Sequence, residues 1–181
     1  MSLVDRMPKL ARTPDEAALW MDRRPCERCR SVGFEREHQL REVDGELVAH
    51  YEGTCPKCGR LRTYDFALPA TPTLTTSLSF GTGEPSQLFC PLDFIIIADD
   101  HAERVPAEVE SLDEATKAAA VRDLTIAVAA LEAAIDAIPE GASAIPRDAN
   151  RPEVLRLYDQ EPGRYERERL EAYRDRLKSM L

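Results

Sequence analysis

The chain has 181 residues and a mass of 20.3 kDa, enough for one domain of ordinary size or one domain with a small module. Hydrophobic residues at 43% and charged residues at 31% permit a packed core and exclude wholesale disorder. With 33 acids against 24 Lys and Arg, the net charge is −9, the wrong sign for general binding to a phosphate backbone. No run of 18 apolar residues is present to span a bilayer, and the N-terminal stretch lacks the apolar core of a secretory signal, so the expectation is a cytoplasmic protein.

In chain order, the first predicted element is a short helix over residues 13–23. Thr13 and Glu16 form a capping box, and Pro14 takes the first helical position. Trp20, the only tryptophan, lies on this helix. Two C-x-x-C pairs follow, Cys26/Cys29 and Cys55/Cys58, the second trailed by Gly59. Two residues between cysteines let the chain turn back so that both sulfurs face one point. Two such knuckles supply the four thiolates that tetrahedral Zn2+ accepts. Gly59 suits the left-handed residue that completes the turn.

The 25 residues between the pairs exceed the usual zinc spacing, and a hairpin accounts for the excess. Residues 34–43 read as a strand, Asp44-Gly45 as a tight turn and residues 46–51 as the partner, in which Leu47, Ala49 and Tyr51 alternate with Glu46, Val48 and His50. A third strand is expected over 61–68. Within the hairpin, His38 and His50 read as surface strand residues, since four thiolates already close a metal shell. A disulfide framework fits poorly with a reducing compartment. A thioredoxin-type redox pair wants a single C-x-x-C in a βαβ setting. An iron site uses the same four ligands, and spacing alone leaves it open beside zinc.

After residue 68 the composition turns to Pro, Thr and Ser. Residues 69–90 read as a surface linker, with a further edge strand possible at 73–80. Cys90, in Leu88-Phe89-Cys90-Pro91-Leu92, reads as a core thiol. Residues 91–104 mix a strand-favouring Ile95-Ile96-Ile97 with a helix-starting Pro91, and the expectation is a helix. The clearest helix is 111–138, with a capping box at Ser111 and Glu114. Its seam steps Val121, Leu124, Val128, Leu131, Ile135, Ile138. Short helices are expected at 152–160 and 164–180, the last with Leu170, Tyr173, Leu177 and Leu181 inward. The fold class expected is α+β: a small antiparallel four-cysteine ribbon followed by an acidic helical bundle. The organisation is residues 1–24 as a helical lead-in, 25–68 as the ribbon, 69–90 as the linker and 91–181 as the helical domain.

The charge is localised. Residues 93–140 carry 12 acids against 3 Lys and Arg, an imbalance as large as that of the whole chain. Such a face suits a protein partner with a basic surface, and Asp99, Asp100, Glu103, Glu108 and Glu110 are its candidate contacts. Around the knuckles, Arg28, Arg30, Lys57, Arg60 and Arg62 invite a nucleic-acid reading, but Glu27, Glu35, Glu37 and Glu52 are interleaved with them. That pattern lacks the net positive groove of a nucleic-acid binder, which is therefore the alternative and not the main expectation. Neither a phosphate-cradling glycine loop, nor a G-x-S-x-G elbow, nor an H-E-x-x-H pair occurs. His38, His50 and His101 are widely separated, and His101 reads as an exposed helix-end residue. No catalytic residue is assigned, and a non-enzymatic protein is expected.

Knuckle, hairpin, knuckle and strand over residues 25–68 resemble a zinc ribbon. A broader resemblance runs through Thr13-Pro-Asp-Glu-Ala17, Pro25-Cys26, Tyr51-Glu-Gly-Thr-Cys55-Pro-Lys-Cys58-Gly59, Glu84-Pro-Ser86, Ala98-Asp99, Ile138-Pro-Glu-Gly141 and Glu161-Pro-Gly-Arg164. These segments look like those of bacterial zinc-ribbon proteins of unassigned activity, some of which accompany secreted polymorphic toxins. That resemblance implies an immunity or adaptor role and names no site residue beyond the four cysteines.

Overall fold

A computed structural model describes residues 8–71, 76–106 and 113–181. It is of mixed α+β type, with a four-stranded sheet and five α-helices among the described residues. The chain divides into two compact units, Met1–Leu74 with Ser86–Leu88, and Thr75–Pro85 with Phe89–Leu181.

The first unit holds the sheet. Its strands are β1 (Lys9–Leu10), β2 (Arg36–Val43), β3 (Glu46–Thr54) and β4 (Leu61–Ala67), in the order β1-β4-β3-β2. β2 and β3 form the expected hairpin. Asp44 and Gly45 both take positive φ, 52° and 85°, the pair of left-handed residues that matches the twist of flanking strands. β4 then adds to β3 antiparallel, with Tyr51 opposite Tyr64. The two-residue β1, parallel to β4, was not foreseen, since two residues give no periodicity to read.

Helix α1 (Pro14–Arg23) starts as its capping residues dictate: the Thr13 hydroxyl accepts from the Glu16 N–H at 3.0 Å. The Glu16 carboxylate is wholly buried, accepts from the Arg12 N–H at 2.7 Å and from its Nε at 2.9 Å, and so is satisfied as a charge. Trp20 meets Tyr64 and Phe66 edge-on at 5.7 and 5.6 Å. Phe34 packs on Tyr64, and Tyr51 on Phe66. These five rings form the apolar nucleus of the unit and tie α1 to one face of the sheet. The expected one-sided alternation in β3 fails. Val48, Ala49, His50 and Tyr51 are all buried, while Leu47 is 52% exposed, so both faces of the strand are covered at its middle.

The second unit is helical: α2 (Pro91–Ala102), α3 (Glu114–Asp136), α4 (Leu155–Gln160) and α5 (Arg167–Lys178), with α3 packing on both α2 and α5. The ambiguous 91–104 segment is a helix, with Leu92, Phe94, Ile95, Ile97 and Ala98 buried, the pattern of a helix covered nearly all round. Helix α3 begins at N-cap Asp113, whose carboxylate accepts from the Thr116 N–H at 3.0 Å. The expected cap at Ser111 lies outside the described residues. In the expected seam, Leu124, Val128, Leu131, Ile135 and Ile138 are buried, but Val121 is 46% exposed. Alanines 120, 127, 129, 130, 133 and 134 are buried as well, which widens one stripe into two contact faces. Small residues there let two helices approach α3 at once.

The N-terminus of α2 is closed from far along the chain. Asn150 Oδ1 accepts from the Leu92 N–H at 2.9 Å, and Asn150 Nδ2 donates to the Pro146 carbonyl at 2.9 Å. The segment expected as a surface linker contributes buried side chains, Phe80 against Phe94 in the second unit and Leu88 in the first. Of its expected edge strand at 73–80, residues 73–75 lie outside the described ones and 76–80 form no strand. The 152–160 helix divides into a one-turn 3₁₀ segment, Pro152–Val154, and α4. The last helix divides likewise into Pro162–Tyr165 and α5. Leu170 and Leu177 are buried as expected. Leu181 is 55% exposed, beyond the last helical turn.

Candidate metal centre

The two C-x-x-C segments adopt the same backbone turn. In the first, the Arg30 N–H donates to the Cys26 carbonyl and the Cys26 N–H to the Ser31 carbonyl, both at 2.8 Å. In the second, the Gly59 N–H donates to the Cys55 carbonyl at 2.9 Å and the Cys55 N–H to the Arg60 carbonyl at 2.8 Å. The residue after each second cysteine is left-handed, with φ 63° at Arg30 and 69° at Gly59. Glycine meets that demand without cost, and Arg30 meets it with strain.

The hairpin carries one knuckle to the other. Gly53, opposite Arg36, lets β2 and β3 approach so closely that a Cβ there would lie 2.1 Å from the Glu35 carbonyl oxygen. Two residues later the chain delivers Cys55. The Sγ atoms of Cys26, Cys29, Cys55 and Cys58 all lie within 4.8 Å of one another. Cys26 and Cys58 are 3.6 Å apart, and Cys29 and Cys55 are 3.5 Å apart. A tetrahedral ion bonded to each sulfur at about 2.3 Å sets sulfur–sulfur edges of about 3.8 Å. The cluster therefore has the size of a four-thiolate metal shell and is far wider than a disulfide, consistent with all five cysteines being free.

Ser31, which sequence reasoning passed over, belongs to this centre. Its hydroxyl lies 3.2 Å from Cys29 Sγ and 3.1 Å from Cys55 Sγ. It holds the Cys55 thiol down to about 5, against an ordinary value of 9.0, helped by the Cys58 and Lys57 N–H groups and opposed by burial. Cys29 is lowered by the same hydroxyl and by the Ser31 N–H. At Cys58 the Arg60 N–H lowers the thiol, but burial and the neighbouring sulfurs of Cys29, Cys26 and Cys55 prevail and push it to about 11. Two of the sulfurs are thus favoured as thiolates and one is disfavoured, and a cation is what allows four to coexist. The only signal for Ser31 in the sequence was its place two residues after a ligand.

Neither hairpin histidine joins the cluster. His38 is exposed and stacks on Tyr51. His50 is 5% exposed, not a surface residue, and its Nδ1 lies 2.6 Å from Asp65 Oδ1. His101 is also covered, its Nδ1 2.6 Å from Asp123 Oδ1 of α3. Cys90 is buried as expected, directly before α2, where its N–H donates to Asp93 Oδ2 at 2.8 Å.

The knuckle arginines have structural work. Arg62 is 5% exposed, stacks over Phe34 at 4.1 Å and donates to the carbonyls of Met21, Arg24 and Gly33. Arg60 pairs with Glu27. Among the proposed partner contacts, Asp99 is turned inward: both its oxygens lie 2.6 Å from Arg164 Nη2, and the Tyr173 hydroxyl donates to it at 3.3 Å. Asp100 is half-buried, Glu103 is exposed at the end of α2, and Glu108 and Glu110 lie outside the described residues. Other acids of the 93–140 segment also serve the fold, with Asp93 paired to Arg151 and Glu132 to Lys178. Among the described residues no helix is long and apolar enough to cross a membrane.

Comparison with protein-family models, with the curated proteins and with solved structures found no match.

Proposed function

We propose that the chain is a non-enzymatic, zinc-dependent protein-binding module. In this reading residues 25–68 are a zinc ribbon whose ion is structural, the helical unit is a small bundle, and the acidic 93–140 segment docks a partner with a basic surface. A cytoplasmic immunity or adaptor protein acting on a basic toxin domain is its concrete form. The observation that carries the metal half is the mutual approach of four Sγ atoms within 4.8 Å on two matching knuckles. Four thiolates complete a tetrahedral shell and leave no position for water or substrate, which is the arrangement of a structural and not a catalytic zinc.

The partner half rests on the charge asymmetry. Because Asp99 is engaged by Arg164 and Tyr173, Glu103, exposed at the end of α2, is the described acid best placed to meet the partner. Native mass spectrometry of protein purified from its own cells tests both halves. One zinc per chain and a protein partner whose binding weakens with salt are expected. A metal-free folded chain overturns the first half. Capture of nucleic acid alone overturns the second.

A further inference from the structure

The four sulfurs are not equally protected. Cys26 and Cys55 are 2% and 1% exposed, while Cys29 and Cys58, the second cysteine of each knuckle, are partly open to solvent. By backbone these two are equivalent. Cys29 receives the Ser31 N–H, and Cys58 the Arg60 N–H. The side chains break the symmetry. The Ser31 hydroxyl lies 3.2 Å from Cys29 Sγ and 3.1 Å from Cys55 Sγ and shares its one proton between them, and the residue at the matching place in the second knuckle is Arg60, whose guanidinium pairs with Glu27. Among the described residues, Cys58 is therefore the one sulfur of the four that is partly open to solvent and has no side-chain hydroxyl against it.

A hydrogen bond to a thiolate withdraws charge from sulfur, so it lowers the nucleophilicity that oxidants exploit. We propose that Cys58 is an oxidative modification site, the point at which peroxides open the metal centre, with Ser31 shielding its twin Cys29. The inference rests on the metal reading above. In the first step the Cys58 thiolate attacks one oxygen of a hydroperoxide. The O–O bond breaks, a sulfenate forms on Cys58, and the second oxygen leaves as hydroxide or alkoxide. Cys26 Sγ, 3.6 Å from Cys58, then attacks the sulfenic sulfur, forming a Cys26–Cys58 disulfide with loss of hydroxide. For hydrogen peroxide the sum is two thiolates, one peroxide and two protons giving one disulfide and two waters. The sulfur is oxidised and the peroxide oxygen reduced. Loss of two ligands releases the ion, and with it the scaffold of the hairpin.

The test treats metal-loaded, full-length protein with hydrogen peroxide at graded doses. A cyclic diketone traps sulfenic acid, a chromogenic chelator reads the released metal, and peptide mass mapping locates the label. The expected first label is on Cys58, with release of the ion following disulfide formation. Ser31→Ala leaves all four ligands in place, and its metal content and folding are measured at neutral pH before peroxide is added. It is expected to bring Cys29 labelling up to that of Cys58 and to speed release about twofold, as two open sulfurs replace one. First labelling of Cys29 or of Cys90 overturns the proposal, as does an unchanged label distribution in Ser31→Ala. Protein that carries no metal before peroxide is added overturns the metal reading itself.

Discussion

Replacing Gly53 by Ala should cost far more than one methyl group suggests. The added Cβ would sit 2.1 Å from the Glu35 carbonyl oxygen, 2.9 Å from the Phe34 ring and 3.1 Å from the Arg36 Cα. Two of those three neighbours are backbone atoms at the entry to and first residue of the paired strand, so no rotamer change relieves the clash. β2 must move away from β3 by about 1 Å at the Arg36–Gly53 pair to restore ordinary contact. Overpacking of this kind costs about 1–3 kcal/mol, and a backbone obstacle places it near 3 kcal/mol. In a unit of this size that lowers Tm by about 12–24 °C. Because Gly53 lies two residues before Cys55, the same displacement pulls one knuckle off the metal, so the loss should be accompanied by weaker metal retention. Thermal unfolding by circular dichroism, paired with a chelator competition, measures both. A Gly53→Ala protein within about 0.5 kcal/mol of the parent would show that the strands do not approach as described.

The knuckles offer a reciprocal pair of substitutions. Arg30→Gly removes a left-handed non-glycine residue from an exposed position and should stabilise by up to about 1 kcal/mol, whereas Gly59→Ala should destabilise by about 1 kcal/mol. Equal signs in a urea titration would refute the equivalence of the two turns. Asn150→Ala strips the acceptor from the buried Leu92 N–H and should cost about 1–3 kcal/mol, read from the midpoint of the helical signal, with no change in metal content. An unaltered midpoint would mean that water caps α2 instead. The Ser31 hydroxyl is the largest cause holding the Cys55 thiol below its ordinary 9.0. A group whose value is depressed on folding contributes stability that is lost as pH falls through the folded value, so removing that hydroxyl narrows the pH range over which the metal is kept. Ser31→Ala should release it at a higher pH. Identical release profiles would separate Ser31 from the thiolates.

The chain alone determined the local features that short-range chemistry controls. Two knuckles at C-x-x-C spacing, the Asp44-Gly45 turn and the Thr13 cap follow from residues within four positions of one another, and each was readable for that reason. The helical nature of 91–102 was also within reach, from Pro91 and its polar acids, although three successive isoleucines argued for a strand. What tertiary structure decided involved partners distant in sequence. Asn150 caps a helix 58 residues away, Asp99 turns inward because Arg164 lies 65 residues on, and His50 is buried because both faces of β3 are covered. The alanines of α3 gave no amphipathic signal because a small side chain is tolerated on any face. Only the presence of helices on two sides makes them contacts. Ser31 joined the metal centre because the hairpin folds the second knuckle over it, and no spacing rule within one knuckle records a contact made across two.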